Sequence, residues 1–135
     1  MADIKHQTTI NAPASKIYEL ITTIRGIHKW LPVSEGWKIT GQENVGGTLT
    51  FYYGPYFHEM KILKLDLDKE VKWLCPIGHP EWVGTTVDFT IEDSGDERLL
   101  SFTHAGWAAK TEWFEQCNQI WGSYVNSIKK LAEKK

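Results

Sequence analysis

The carboxy-terminal third of this chain pairs a strand with one long helix, and that pairing limits the folds open to it. Leu99 to Trp107 reads as a strand, and Thr111 opens a helix predicted to run to about Glu133. The apolar positions Trp113, Phe114, Cys117, Ile120, Trp121, Tyr124, Val125, Ile128 and Leu131 follow unbroken three-and-four spacing, which puts them on one stripe of an α-helix. A helix of roughly 23 residues rises about 34 Å. An aromatic stripe of that length needs a broad apolar partner, and the alternating segments upstream can form one. A curved sheet closing on so large a helix tends to leave a cavity rather than a solid core.

The upstream segments supply the sheet. Ile4 to Ile10 alternates weakly and predicts a first strand. Ala12-Pro13-Ala14-Ser15 starts a helix with Pro in its first turn, where the missing N–H does no harm. Ile17, Leu20, Ile21 and Ile24 give that helix an apolar face, Gly26 is expected to interrupt it, and Ile27 to Leu31 predicts a second short helix. Strands are then expected over Trp37–Thr40, Thr48–Tyr53, Phe57–Leu67, Val71–Cys75 and Thr85–Ile91, separated by turn-forming residues such as Gly46-Gly47 and Gly54-Pro55. In Phe57–Leu67 the apolar parity changes after Ile62, and a strand switches its buried face only through an extra residue, so a β-bulge is expected near Ile62 to Lys64. The order of elements is one strand, two short helices, six strands and a long helix. That is an α+β domain with its helices on one face of a curved antiparallel sheet of about seven strands, a single domain over residues 1–135.

Composition excludes several functions. The formal charge is −2, where a nucleic-acid surface would need a basic face. Lys129, Lys130, Lys134 and Lys135 read as a solvated helix end that complements the helix dipole. No segment approaches the ~20 apolar residues of a membrane span and the amino terminus has no apolar signal region, so the cytoplasm is the expected compartment. The two cysteines, Cys75 and Cys117, fall inside elements and are expected to be buried free thiols. The five histidines show no ligand spacing and neither cysteine is in a CxxC unit, so no metal or other cofactor is expected.

Two segments carry a resemblance. Ile10-Asn11-Ala12-Pro13-Ala14-Ser15-Lys16-Ile17-Tyr18-Glu19-Leu20 is similar to the start of START-like, helix-grip (SRPBCC) domains. Phe102-Thr103-His104-Ala105-Gly106-Trp107 and Trp121-Gly122-Ser123-Tyr124-Val125-Asn126-Ser127-Ile128-Lys129 resemble the branch related to the carboxy-terminal domain of the activator of Hsp90 ATPase and to polyketide cyclase-like proteins. These are packing patterns, not catalytic signatures, and the order of elements agrees with them along nearly the whole chain. The resemblance implies a curved sheet wrapped around the last helix, with apolar ligands held between. Some members of the superfamily are polyketide cyclases, and others bind plant hormones or lipids.

Seven Trp, five Tyr and five Phe either fill a core or line a pocket. Strand parity and the helix stripe direct Phe51, Tyr53, His58, Met60, Trp73, Phe89, Phe102, His104, Cys117, Trp121 and Tyr124 toward one enclosed space, and these are the candidate ligand-binding residues. His104 is the most reactive of them, able to act as general base or to hold a ligand carbonyl, unless it is a core histidine bonded to a structural partner. A Cys117–His104 nucleophile pair has no third orienting group in view, so no catalytic residue is assigned. Only Arg25 and Arg98 occur, both near turns, so no guanidinium is expected to clamp an anion deep in the cavity. Trp82, between Pro80 and Gly84, is either a partly exposed aromatic at the pocket entrance or an isolated surface aromatic, and the sequence does not choose between them.

These readings favour a non-catalytic binding module for a small, apolar, neutral ligand and leave turnover open. The alternatives are a cyclase- or dehydratase-type enzyme acting on a polyketide-like or aromatic substrate, and an Hsp90 co-chaperone-like interaction domain with a chaperone or homodimer contact.

Overall fold

The computed structural model describes residues 2–32 and 36–134. Strand β1 (Ala2–Ile10) leads into helices α1 (Ala14–Thr22) and α2 (Ile24–Trp30). Strands β2 (Trp37–Gly41), β3 (Thr48–Tyr53), β4 (Tyr56–Asp66), β5 (Glu70–Ile77), β6 (Thr86–Ser94) and β7 (Glu97–Trp107) follow, and α3 (Glu112–Glu133) ends the fold. The seven strands form one antiparallel sheet in the order β1-β7-β6-β5-β4-β3-β2. This is the helix-grip α+β architecture. The sheet is open and curved, and its concave face takes the helices.

Local chemistry explains the joints. Pro13 precedes α1, and its carbonyl accepts from the amides of Lys16 and Ile17. The break between the short helices falls at Thr23, not at Gly26 as expected from the sequence. Thr23 leaves the helical conformation, donates its hydroxyl to the Glu19 carbonyl at 2.9 Å and accepts from the Gly26 amide at 2.9 Å. Gly26 therefore lies inside α2, and its role is close approach, since a Cβ there would sit 2.3 Å from the Glu19 carbonyl oxygen.

The expected irregularity in β4 is present. Its pairing with β5 shifts register between Glu59 and Lys61 and again between Ile62 and Lys64. Each shift bends the strand and adds twist. Met60 and Ile62 are buried before the second shift, and Leu65 is half-buried against the core after it. Leu63 and Leu67 stay exposed.

Helix α3 buries Phe114, Cys117, Trp121, Val125, Ile128 and Ala132. Thr111 caps it, accepting from the Phe114 amide at 3.2 Å, and Glu112 and Glu115 place negative charge in its first turn, where the helix dipole favours it. Near its middle the helix runs close to β1. A Cβ on Gly122 would lie 3.0 Å from the His6 ring, and that ring's Nε2 bonds the Asn118 carbonyl at 2.9 Å. At its far end Lys129 reaches both the Thr9 carbonyl and the Glu133 carboxylate. Lys135 lies outside the described residues.

Candidate functional site: a tryptophan-lined chamber

Between the β3–β5 part of the sheet and the amino-terminal half of α3 lies a chamber of about 70 Å³. The sheet contributes Phe51, His58, Met60 and Trp73. Helix α3 contributes Trp113, Cys117, Ile120, Trp121 and Tyr124. Trp30 and Leu31 close it from the end of α2, Trp37 from the start of β2, and Trp82 from the β5–β6 loop. Six of the seven tryptophans thus line one space. No lysine, arginine, aspartate or glutamate is among the described residues that line it.

Outside the chamber is an open groove of about 610 Å³, walled by the β3–β4 hairpin and by the loop that follows β5. Trp37, His58 and Trp113 border both spaces, so these three rings form the threshold between them. Ligand sites commonly measure ~300–1,000 Å³. The groove is of that size, and the chamber is its deep end.

Of the residues expected to share the pocket, Phe51, His58, Met60, Trp73, Cys117, Trp121 and Tyr124 do line the chamber. Tyr53 does not. It continues the parity of Phe51, but it sits at the turn end of its hairpin, where it is 47% exposed and packs on the Trp37 ring at 5.1 Å. There it walls the outer groove. Phe89, Phe102 and His104 also fall outside the lining. They form a solid floor, with Phe102 against Trp121 at 4.4 Å and Phe89 against Phe102 at 5.0 Å and Trp73 at 5.8 Å.

His104 is fully engaged. The Trp121 indole donates to its Nδ1 at 3.1 Å, and because an indole N–H can only donate, the ring proton belongs to Nε2. Nε2 then donates to the Thr85 hydroxyl at 2.8 Å, and that hydroxyl donates to the Trp82 carbonyl at 2.6 Å. Burial, with the nearby His58, pushes the His104 pKa down to about 3. A neutral imidazole with both nitrogens occupied is neither a free base nor a ligand anchor. The expectation that His104 would orient a ligand carbonyl is therefore corrected, and its bonded-core alternative holds.

His58 sits at the threshold. Its ring stacks on Trp82 at 4.2 Å, and its Nδ1 accepts a long bond of 3.4 Å from the His79 amide. Burial first, and then His79, lowers its pKa to about 4. Cys117 does not pair with His104 as a nucleophile. Burial raises its thiol to about 12, although the Trp82 indole N–H beside it favours the thiolate. Cys75, which donates to the Ile77 carbonyl at 3.5 Å, is raised to about 11 by burial.

Three lining residues stood outside the sequence expectation, Trp30, Leu31 and Trp37, while Ile120 was visible on the helix stripe. Trp113 was visible as a stripe residue, and Trp82 as either an entrance or an isolated surface aromatic. Trp82 reaches farther in than either reading, with its ring between His58 and Trp121, 6.2 Å from the latter. Its loop is tied to α3, since the Thr111 hydroxyl donates to the Glu81 carboxylate.

Residues 11–133 match the family described as Activator of Hsp90 ATPase homolog 1-like protein. The chain belongs to this family. The structure also resembles the Aha1 dimer from Colwellia psychrerythraea, with 31% identity, a TM-score of 0.88 and coverage of 98% of this chain and 97% of that one. Protein MLL2253 from Mesorhizobium loti is 16% identical with a TM-score of 0.82, and 96% of each chain is covered. CalU16 from Micromonospora echinospora is 16% identical with a TM-score of 0.75, over 96% of this chain and 75% of that one. The last two likenesses are of fold alone. No curated protein matches the chain in sequence.

Proposed function

We propose that this member of the family is a binding module for a small, neutral, apolar ligand that enters through the outer groove and settles in the chamber. The observation that carries this reading is the lining itself: six indole rings, with no charged carboxylate, ammonium or guanidinium among the described residues. Burying an ion without a partner is costly, so the wall favours neutral molecules. The two inward histidines are held neutral, and His104 is committed to the core, which favours binding over acid–base turnover.

A titration followed by intrinsic tryptophan fluorescence tests this directly. Naphthalene should give a saturable change, and naphthalene-2-sulfonate should bind at least tenfold more weakly. Equal binding of the two, or no saturable response to naphthalene, would reject the reading.

A second reading concerns assembly. Tyr52, Tyr53, Tyr56 and Phe57 on the β3–β4 hairpin are 38%, 47%, 72% and 43% exposed, a concentration of surface aromatics that marks an interaction site. The relative from Colwellia is described as a dimer. Self-association of this chain through the hairpin would show in sedimentation equilibrium, and Tyr56→Glu should abolish it. A wild-type protein that stays monomeric at high concentration would end this second reading.

A further inference from the structure

The chamber and the groove outside it differ in size and in chemistry, and together they set a shape for the ligand. A water needs about 10–15 Å³ of cavity space, so the chamber's 70 Å³ holds roughly five to seven waters. A methylene takes about the room of one water, so the chamber matches a short chain of that many carbons. Anything larger must extend into the groove. The chamber's surface is almost wholly apolar, and a polar group carried into it would forgo its hydration.

The groove, at about 610 Å³, has the room that the chamber lacks. Trp37, Tyr53, Tyr56 and Trp113 make its walls largely aromatic, which favours an aromatic ring against them. Its walls also carry polar groups, the hydroxyls of Tyr53 and Tyr56 and the imidazoles of His58 and His79. No lysine, arginine, aspartate or glutamate is among the described residues that line it, so a neutral head fits it better than an ion. Tyr56 is 72% exposed, and a head beside it keeps contact with water. Because Trp37, His58 and Trp113 border both spaces, a molecule longer than the chamber has the groove to continue into past these rings.

We infer that the site takes an elongated molecule in two parts: an alkyl tail of about five to seven carbons in the chamber, and a single aromatic ring with a neutral polar substituent in the groove. This rests on the apolar-ligand reading above and adds to it the order of the parts and the length of the tail.

A series of para-n-alkylphenols, from para-cresol to para-nonylphenol, tests both parts. Each is titrated by calorimetry into the wild-type protein, Cys117→Leu, Cys117→Ala and Tyr56→Ser. Each methylene that enters the chamber should tighten binding about fourfold, and the gain should stop at about five to seven carbons. Cys117 is buried in the chamber wall. Leucine has two more non-hydrogen side-chain atoms than cysteine, so Cys117→Leu should bring the break about two carbons earlier. Alanine has one fewer, and Cys117→Ala should delay the break by about one carbon. Tyr56→Ser should weaken every member of the series by about threefold, the worth of one aromatic contact, and leave the break in place. If Cys117→Leu does not fold, Cys117→Ala carries the test. A gain that continues through nonylphenol, or a break that ignores both Cys117 substitutions, would overturn the inference. A break that moves with Tyr56→Ser instead would place the tail in the groove and overturn it as well. If no alkylphenol binds, the inference falls, and naphthalene separates the two levels: its saturable binding leaves the apolar reading standing, and its failure overturns both.

Discussion

His58 on β4 and His104 on β7 both turn toward α3 from the same face of one sheet, and their surroundings differ. Both ring nitrogens of His104 are bonded, to Trp121 and Thr85, and rings pack around it, with the Trp107 ring at 5.0 Å. Around His58 the contacts are a stacked, loop-borne tryptophan and one long amide bond. The floor is close-packed and bonded, and the threshold is aromatic and loosely bonded. Cores built to crystal-like density resist change, whereas binding regions are drawn from the less stable parts of a fold. The division places rigidity under the chamber and adaptability at its mouth.

The largest effect expected is at the floor. His104→Ala leaves the Trp121 indole and the Thr85 hydroxyl without their partner and opens a cavity, so it should cost about 3–5 kcal/mol. His58→Ala, which forfeits one long bond and a stacking contact, should cost about 1 kcal/mol. Denaturant midpoints for the two variants measure this contrast. Equal losses would erase the distinction between floor and threshold.

Acid should act on both histidines. Their folded-state pKa values, about 3 for His104 and about 4 for His58, lie below the ordinary 6.5. The unfolded chain therefore binds protons first, and the stability these groups contribute is complete above pH 6.5. It should decline as pH falls through 6.5 toward 4 and 3. Asp88 on the β6 strand runs the other way. Burial, with Glu70 beside it, raises its pKa from 3.8 to about 6, so its contribution is complete below pH 3.8 and lost as pH rises through 6. Unfolding midpoints from pH 7.5 down to 3.5 should fall for the wild type and fall less steeply for His58→Gln. Parallel curves would show that His58 is solvated in the folded state.

How much of this could be read from the chain depends on whether the signal was periodic. The α3 stripe, the strand alternations and the β4 bulge all leave a repeating or phase-shifted apolar pattern. The floor was legible as inward residues but not as floor, because what separates His104 from His58 is the arrival of Trp121 and Thr85 from distant parts of the sequence. Trp82 belongs to no periodic run, and loop geometry alone brings it to the chamber, while Trp37 opens a short strand whose sequence does not say that its first residue reaches the helix. Tyr53 misled because parity continues to the end of a hairpin even where no helix covers it.

A middle-sized effect is expected at the threshold. Trp82 is half-buried and its N–H lacks a strong acceptor, so Trp82→Ala should cost about 1–2 kcal/mol, below the ~3–5 typical of a fully buried tryptophan. The chamber should enlarge, and a neutral two-ring probe should associate faster in stopped-flow mixing. An unchanged association rate would mean that Trp82 does not stand in the entry path.

The smallest effect is expected where α3 crosses β1, on the floor side. Gly122 in a helix interior gives up about 1 kcal/mol relative to alanine, so Gly122→Ala ought to stabilise the protein if the site were open. It is not open. The added methyl would lie 3.0 Å from the His6 ring, and that ring is held by its bond to the Asn118 carbonyl, so the strand must yield by a few tenths of an ångström or the bond must bend. The two contributions should nearly cancel, leaving Gly122→Ala within about 0.5 kcal/mol of the wild type. In a His6→Ala background the crowding is gone, and the same substitution should recover the full ~1 kcal/mol of helix propensity. A double-mutant cycle of thermal midpoints measures the difference. Additive effects would mean that β1 yields freely there, and the close-packed floor would then end at Trp121 instead of extending to the sheet edge.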